Sequence, residues 1–142
     1  MSAQLENASI GAITLFTEDF ARSKSFYQEI FDKSILFEDE SSAVFQFGDT
    51  VINVLAAPAA PELVAPGTVA PREAGIRAVM TVEVDDVDAV CADLAQQGVT
   101  LLNGPMDRPW GIRTASFADP GGHVWEIAHQ LAPAASPSNA ST

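Results

Sequence analysis

Between residues 10 and 17 the chain reads Ile-Gly-Ala-Ile-Thr-Leu-Phe-Thr, with the alternation expected of a half-buried strand. Asp19 follows where a helix N-cap belongs, and Phe20, Phe26, Tyr27, Ile30 and Phe31 then recur at helical spacing. Three short strands are expected next, at 35–38, 43–47 and 50–55, with Gly48-Asp49 as the tight turn between the last two. The same order recurs downstream. Residues 78–84 read as a strand, Asp85-Asp86 cap a helix whose apolar face is Val87, Val90, Cys91 and Leu94, and Gly98 ends it. Strands are expected at 100–102, 113–118 and 123–128, with Asp119-Pro-Gly-Gly122 turning between the last two. A shift of 67 residues lays Ala12 on Val79 and Asp19 on Asp86, so the chain contains an internal βαβββ repeat.

The repeat predicts an α+β fold with a short extension at 1–9, a first module at 10–55 and a second at 76–130. The Pro/Ala-rich stretch 56–75 joins them as a surface connection long enough to act as a pocket lid. Residues 131–142 lack apolar periodicity and are expected to be disordered.

Composition narrows the function. At 142 residues, 47% apolar and 18% charged, the chain is able to bury a core. No apolar run reaches the length of a membrane span, and the first residues do not read as a secretory signal. A cytoplasmic protein with no membrane partner is expected. The net charge of −12 repels phosphate backbones and argues against nucleic acid. It favours cationic ligands weakly, and salt screens that attraction. One cysteine, Cys91, excludes an intramolecular disulfide and a cysteine-cluster metal site; it reads as a core residue of the second helix.

Two βαβββ modules ending in Asp119-Pro-Gly-Gly-His-Val-Trp-Glu-Ile127 resemble the vicinal oxygen chelate superfamily. That group includes glyoxalase I, extradiol dioxygenases, fosfomycin-inactivating transferases and bleomycin-resistance binding proteins. The likeness is carried by residues 14–27, 82–88 and Pro109-Trp-Gly-Ile-Arg113 together with the last turn and strand. It implies a curved mixed sheet around a cavity, with helices on the convex face and, in catalytic members, a divalent metal held from first and last strands. Such members are often homodimers.

Carried onto this sequence, the metal positions fall on Ala12, Val79, Asn53 and Glu126. Only Glu126 is a good ligand, and catalytic zinc normally takes three from His, Asp, Glu or Cys. With Glu126 inward, alternation sends His123 and His129 the other way, to the surface or an edge. No resident metal is therefore expected, and Glu126 reads as a polar group in a pocket.

Thr14, Phe16, Asn53, Leu55, Thr81 and Glu126 are expected to line that pocket, which suits a small organic ligand. Trp110 either stacks on a planar ligand or packs on the sheet rim. Arg113 either hydrogen-bonds a carbonyl or carboxylate or pairs with one of the acids. The nearest analogy among the superfamily is a metal-independent drug-binding protein. The alternative is a lyase, isomerase or dioxygenase that uses Glu126 as a base or in an atypical divalent-metal site; no other catalytic residue is visible.

Overall fold

The computed structural model describes residues 3–132, which divide into two compact units, one ending at Gly75 and the other beginning at Ile76. Each unit is one copy of the repeat, and the two are built alike. In the first, β1 (Ala12–Thr17) leads to α1 (Phe20–Glu29), then β2 (Ile35–Glu38), β3 (Ser42–Phe47) and β4 (Thr50–Ala56). In the second, β5 (Val79–Glu83) leads to α3 (Val87–Gln96), then β6 (Leu101–Asp107), β7 (Ile112–Ala118) and β8 (Val124–Gln130). Strand orders are β1-β4-β3-β2 and β5-β8-β7-β6. Each sheet is open and mixed: the first strand pairs in parallel with the last, and the remaining pairs are antiparallel.

Strand alternation decides which residues go under each helix. In the first unit Leu15, Ile52, Val54, Ala43 and Phe45 share one face and are buried. Tyr27 of α1, 0% exposed, packs on that face, stacked on Phe31 at 5.3 Å and tilted against Phe45 at 5.5 Å. In the second unit the corresponding core is Ala115, Phe117, Trp125 and Ile127, with Val87 and Leu94 from α3. Burying an aromatic of this size contributes on the order of 2–3 kcal/mol through removal of apolar surface from water.

The helices begin where the expected caps stand. Asp19 accepts from the Arg22 N–H and Asp86 from the Ala89 N–H, each at 3.2 Å. At its other end α3 gives way to Gly98, whose φ of +83° suits glycine. The connection is folded rather than plain coil: it contains α2 (Pro61–Val64), flanked by short 3-10 turns at 57–59 and 72–74.

Strand β6 is longer than its pattern predicts. It was expected at 100–102 and runs to Asp107, through Gly104 and Pro105. It is an edge strand with register shifts on both sides of Asn103, a setting that tolerates a residue with no N–H to donate. Gly104 has φ +84°, and a Cβ there would lie 2.5 Å from the Thr114 carbonyl oxygen. The tail beyond Ala132 lies outside the described residues, so the expectation for 133–142 is not addressed.

Candidate functional site

The helix covers one face of each sheet; the opposite face is open in the sense that no helix of the unit packs on its strands, although residues such as Thr114 and Leu55 on it are buried. On the open face of the first sheet stand Thr14, Phe16, Asn53 and Leu55, as expected from alternation. The Asn53 amide Nδ2 donates to Thr14 Oγ1 at 3.4 Å, while Asn53 Oδ1 is buried with no hydrogen-bond partner. On the open face of the second sheet Thr81 opposes Glu126, and its hydroxyl donates to Glu126 Oε1 at 2.8 Å. Ser116 lies across from Glu126 on β7, and Thr114 two residues further along the same face.

These two pairs occupy the same place in the repeat. Thr14 opposes Asn53 in the parallel β1–β4 ladder, and Thr81 opposes Glu126 in the parallel β5–β8 ladder. The metal positions of the resemblance are thus a pair of apolar residues, Ala12 and Val79, an amide and a carboxylate. Within the described residues no three His, Cys, Asp or Glu side chains converge to hold an ion.

Both histidines are committed elsewhere. His129 sits on the helix-facing side of β8, where its Nδ1 accepts the Val87 N–H at 2.8 Å and helps cap α3. His123, expected at the surface or an edge, is instead buried, 5% exposed. Its ring Nδ1 lies 3.1 Å from Asp119 Oδ1, which also accepts the His123 backbone N–H at 2.8 Å. The turn Asp119-Pro-Gly-Gly122 folds the aspartate back onto the start of β8, so the imidazole is held inside; the sequence showed the turn but not this closure.

Arg113 stands with the helix-facing residues of β7, opposite in parity to Ser116 and Glu126. Its guanidinium holds Asp88 of α3 through Nη2 at 3.0 Å and Asp107 through Nη1 at 2.8 Å. The hydrogen bonds it donates to Asp88 and then Asp107 push its pKa further above the ordinary range, so the cation is permanent. Of the two roles expected for Arg113, the ion pair is the one the side chain adopts. Cys91, half-buried on α3, has its thiol pKa raised by burial and then by the Asp88 carboxylate, which disfavours the nucleophilic thiolate.

Trp110 lies in the turn from β6 to β7 and is 67% exposed. The basic residue beside it is Arg108, which sequence reasoning passed over. Arg108 Nε donates to the buried Thr114 hydroxyl at 2.9 Å, and its guanidinium carbon lies 5.9 Å from the Trp110 ring centre. Thr114 shares the open face with Ser116 and Glu126. The irregular register of β6 hides this placement, because alternation cannot be carried across the shifts.

A separate depression of ≈ 440 Å³ lies within the first unit, under the connection. Its walls include Ala60, Pro61, Val64, Val69 and Glu18, whose Oε2 accepts the Arg72 N–H at 3.2 Å.

Comparison with known proteins fits this arrangement to a family. The model of the Glyoxalase/Bleomycin resistance protein/Dioxygenase superfamily matches residues 9–127. The chain belongs to this superfamily. Among curated proteins it is similar to YraH of Bacillus subtilis (strain 168), an uncharacterized protein, with 32% identity over 123 residues, 84% of this chain and 96% of that one. Solved structures give the same fold. A glyoxalase/bleomycin resistance protein/dioxygenase from Nocardioides superposes with a TM-score of 0.81 at 22% identity, over 96% of this chain and 91% of its own. A lactoylglutathione lyase from Agrobacterium tumefaciens gives 0.68 at 16% identity, over 85% and 92%. Membership of the superfamily fixes the architecture and leaves the chemistry to the residues of the sheet face, since one fold carries many functions.

Proposed function

We propose that the protein binds a small, partly aromatic organic molecule on the open face of its second sheet, without a resident metal, in the manner of a drug-sequestering member of the superfamily. The observation that carries this reading is the Thr81–Glu126 hydrogen bond at the last-strand position, with apolar Ala12 and Val79 where other ligands would stand. One carboxylate and one amide do not fit a divalent transition metal, which takes at least three strong donors. A carboxylate fixed by a hydroxyl is well suited to orient an organic ligand through a donated hydrogen bond. Apolar burial would supply most of the affinity, and the polar groups the orientation.

The test is a small-molecule thermal-shift and calorimetric screen in chelator-treated buffer, run on the wild type and on Glu126→Gln. Ligands that bind the wild type without metal and lose affinity in the variant support the reading. Ligands that bind both equally, or bind only with metal added, overturn it.

A second reading is an enzyme in which Glu126 removes a proton beside a carbonyl. The fixed carboxylate on an open sheet face favours it, and Glu126→Gln would then abolish turnover while leaving much of the binding. Both readings include the homodimer implied by the family resemblance and a cytoplasmic setting. Sedimentation would check the dimer.

A further inference from the structure

The open face of the second sheet carries acidic groups at Glu126 and Glu83 and a basic one at Arg108, and Arg108 differs from the two cations of the chain held in lysine or arginine ion pairs. Lys24 pairs with Glu38, and Arg113 with Asp88 and Asp107. No carboxylate among the described residues lies within ion-pair distance of Arg108, in a chain with nineteen acids and seven bases. The guanidinium is half-buried and has no acid partner although many acids are available. Its position is nevertheless fixed: Nε donates to Thr114, which is 0% exposed, and the Trp110 ring stands 5.9 Å away. Holding Nε leaves the terminal nitrogens, the fork that suits a carboxylate.

Resting on the binding reading above, we infer that Arg108 is the anionic-end recognition residue of that site, and that the ligand is an aromatic carboxylic acid bearing a hydroxyl or amino donor at its far end. The acid is held by Arg108, the ring lies against Trp110, and the donor reaches Glu126. The spacing is consistent with one small molecule. Thr114 and Glu126 are diagonal neighbours on paired strands, Thr114 facing Ala128 and Ser116 facing Glu126. Such positions are about 7–8 Å apart. The net charge of −12 does not oppose this choice, because the guanidinium acts at contact, while Glu83 on the exposed edge strand and the more distant acids are screened by water and salt. An exposed Trp110 beside it supplies a flat apolar surface for a planar ligand.

The experiment is a titration of the full chain with para-hydroxybenzoate, its neutral amide para-hydroxybenzamide, and benzoate, followed by calorimetry and by tryptophan fluorescence. Trp125 is 1% exposed, so a ligand-dependent change lost in Trp110→Phe reports the open face. Para-hydroxybenzoate should bind about tenfold or more tightly than the amide, and Arg108→Gln should erase that preference. Benzoate should bind more weakly than para-hydroxybenzoate in the wild type but not in Glu126→Gln. Arg108→Lys, which keeps the charge but not the fork, should retain part of the preference and guards against a misfolded Gln variant. Equal binding of acid and amide, or an acid affinity unchanged in Arg108→Gln, overturns the inference while the general binding reading stands. Failure of all three probes on the wild type also overturns it, and the broader ligand screen then decides the general reading separately.

Discussion

The Thr81 hydroxyl donates to Glu126 Oε1 at 2.8 Å in the same ladder position where Asn53 donates to Thr14 at 3.4 Å. Each module thus carries a threonine on its first strand, with an amide opposite it on the last strand of one and a carboxylate on that of the other. Only the second module offers a charge. Thr81→Val should leave the fold intact, lowering stability by less than about 1 kcal/mol in urea denaturation, because the bond is open to water. The same change should weaken ligands that depend on Glu126, since the carboxylate loses the group that orients it.

His129 is a capping residue rather than a site residue. Its Nδ1 accepts the Val87 N–H, one of the amides that the first turn of α3 cannot satisfy internally. His129→Ala should lower the denaturation midpoint by the equivalent of roughly 1 kcal/mol, the usual worth of a helix cap, with an unchanged urea slope. Ligand affinity on the open face should be unaffected.

Gly104 is required by both conformation and space. Its φ is +84°, and a Cβ would meet the Thr114 carbonyl oxygen at 2.5 Å and Ala115 Cα at 2.8 Å. Backbone atoms do not give way cheaply, so Gly104→Ala should cost more than about 1 kcal/mol, against a smaller loss at Gly98, where a Cβ meets open space. Because Thr114 fixes Arg108, the Gly104 variant should also weaken acid recognition. Thermal melts and probe titrations of both variants check this.

The modular fold was legible because its signals are local and repeated: alternation in the strands, Asp19 and Asp86 before the helices, and Asp119-Pro-Gly-Gly122 before the last strand. The site was legible only in part. Thr81 and Glu126 lie on regular, paired strands, so counting by two put them on one face. The same count, carried along β7 from Phe117, places Arg113 under the helix. Arg108 follows an irregular edge strand where no such count holds. His123 was misplaced for a related reason: it belongs to a turn, and its burial depends on Asp119 folding back across four residues.

Asp39 gives a pH dependence with a definite sign. The Ser41 N–H, together with the Ser42 hydroxyl and N–H, stabilises its charged form and lowers its pKa from 3.8. A carboxylate depressed on folding adds stability above its unfolded pKa and loses it as pH falls through the folded value. Stability should therefore decline as pH drops below about 4, and Asp39→Asn should flatten that part of the profile. Urea midpoints measured across the acid range check it; an equal decline in wild type and variant would contradict the assignment.

On the proposed reading, the sheet face around Glu126 recognises an organic ligand without a metal. Calorimetric titration of chelator-treated protein with Mn²⁺, Fe²⁺, Co²⁺, Ni²⁺ and Zn²⁺, repeated on Glu126→Ala, is the decisive measurement. The prediction is no stoichiometric binding by either protein. One tightly bound ion per chain in the wild type, lost in Glu126→Ala, would contradict it.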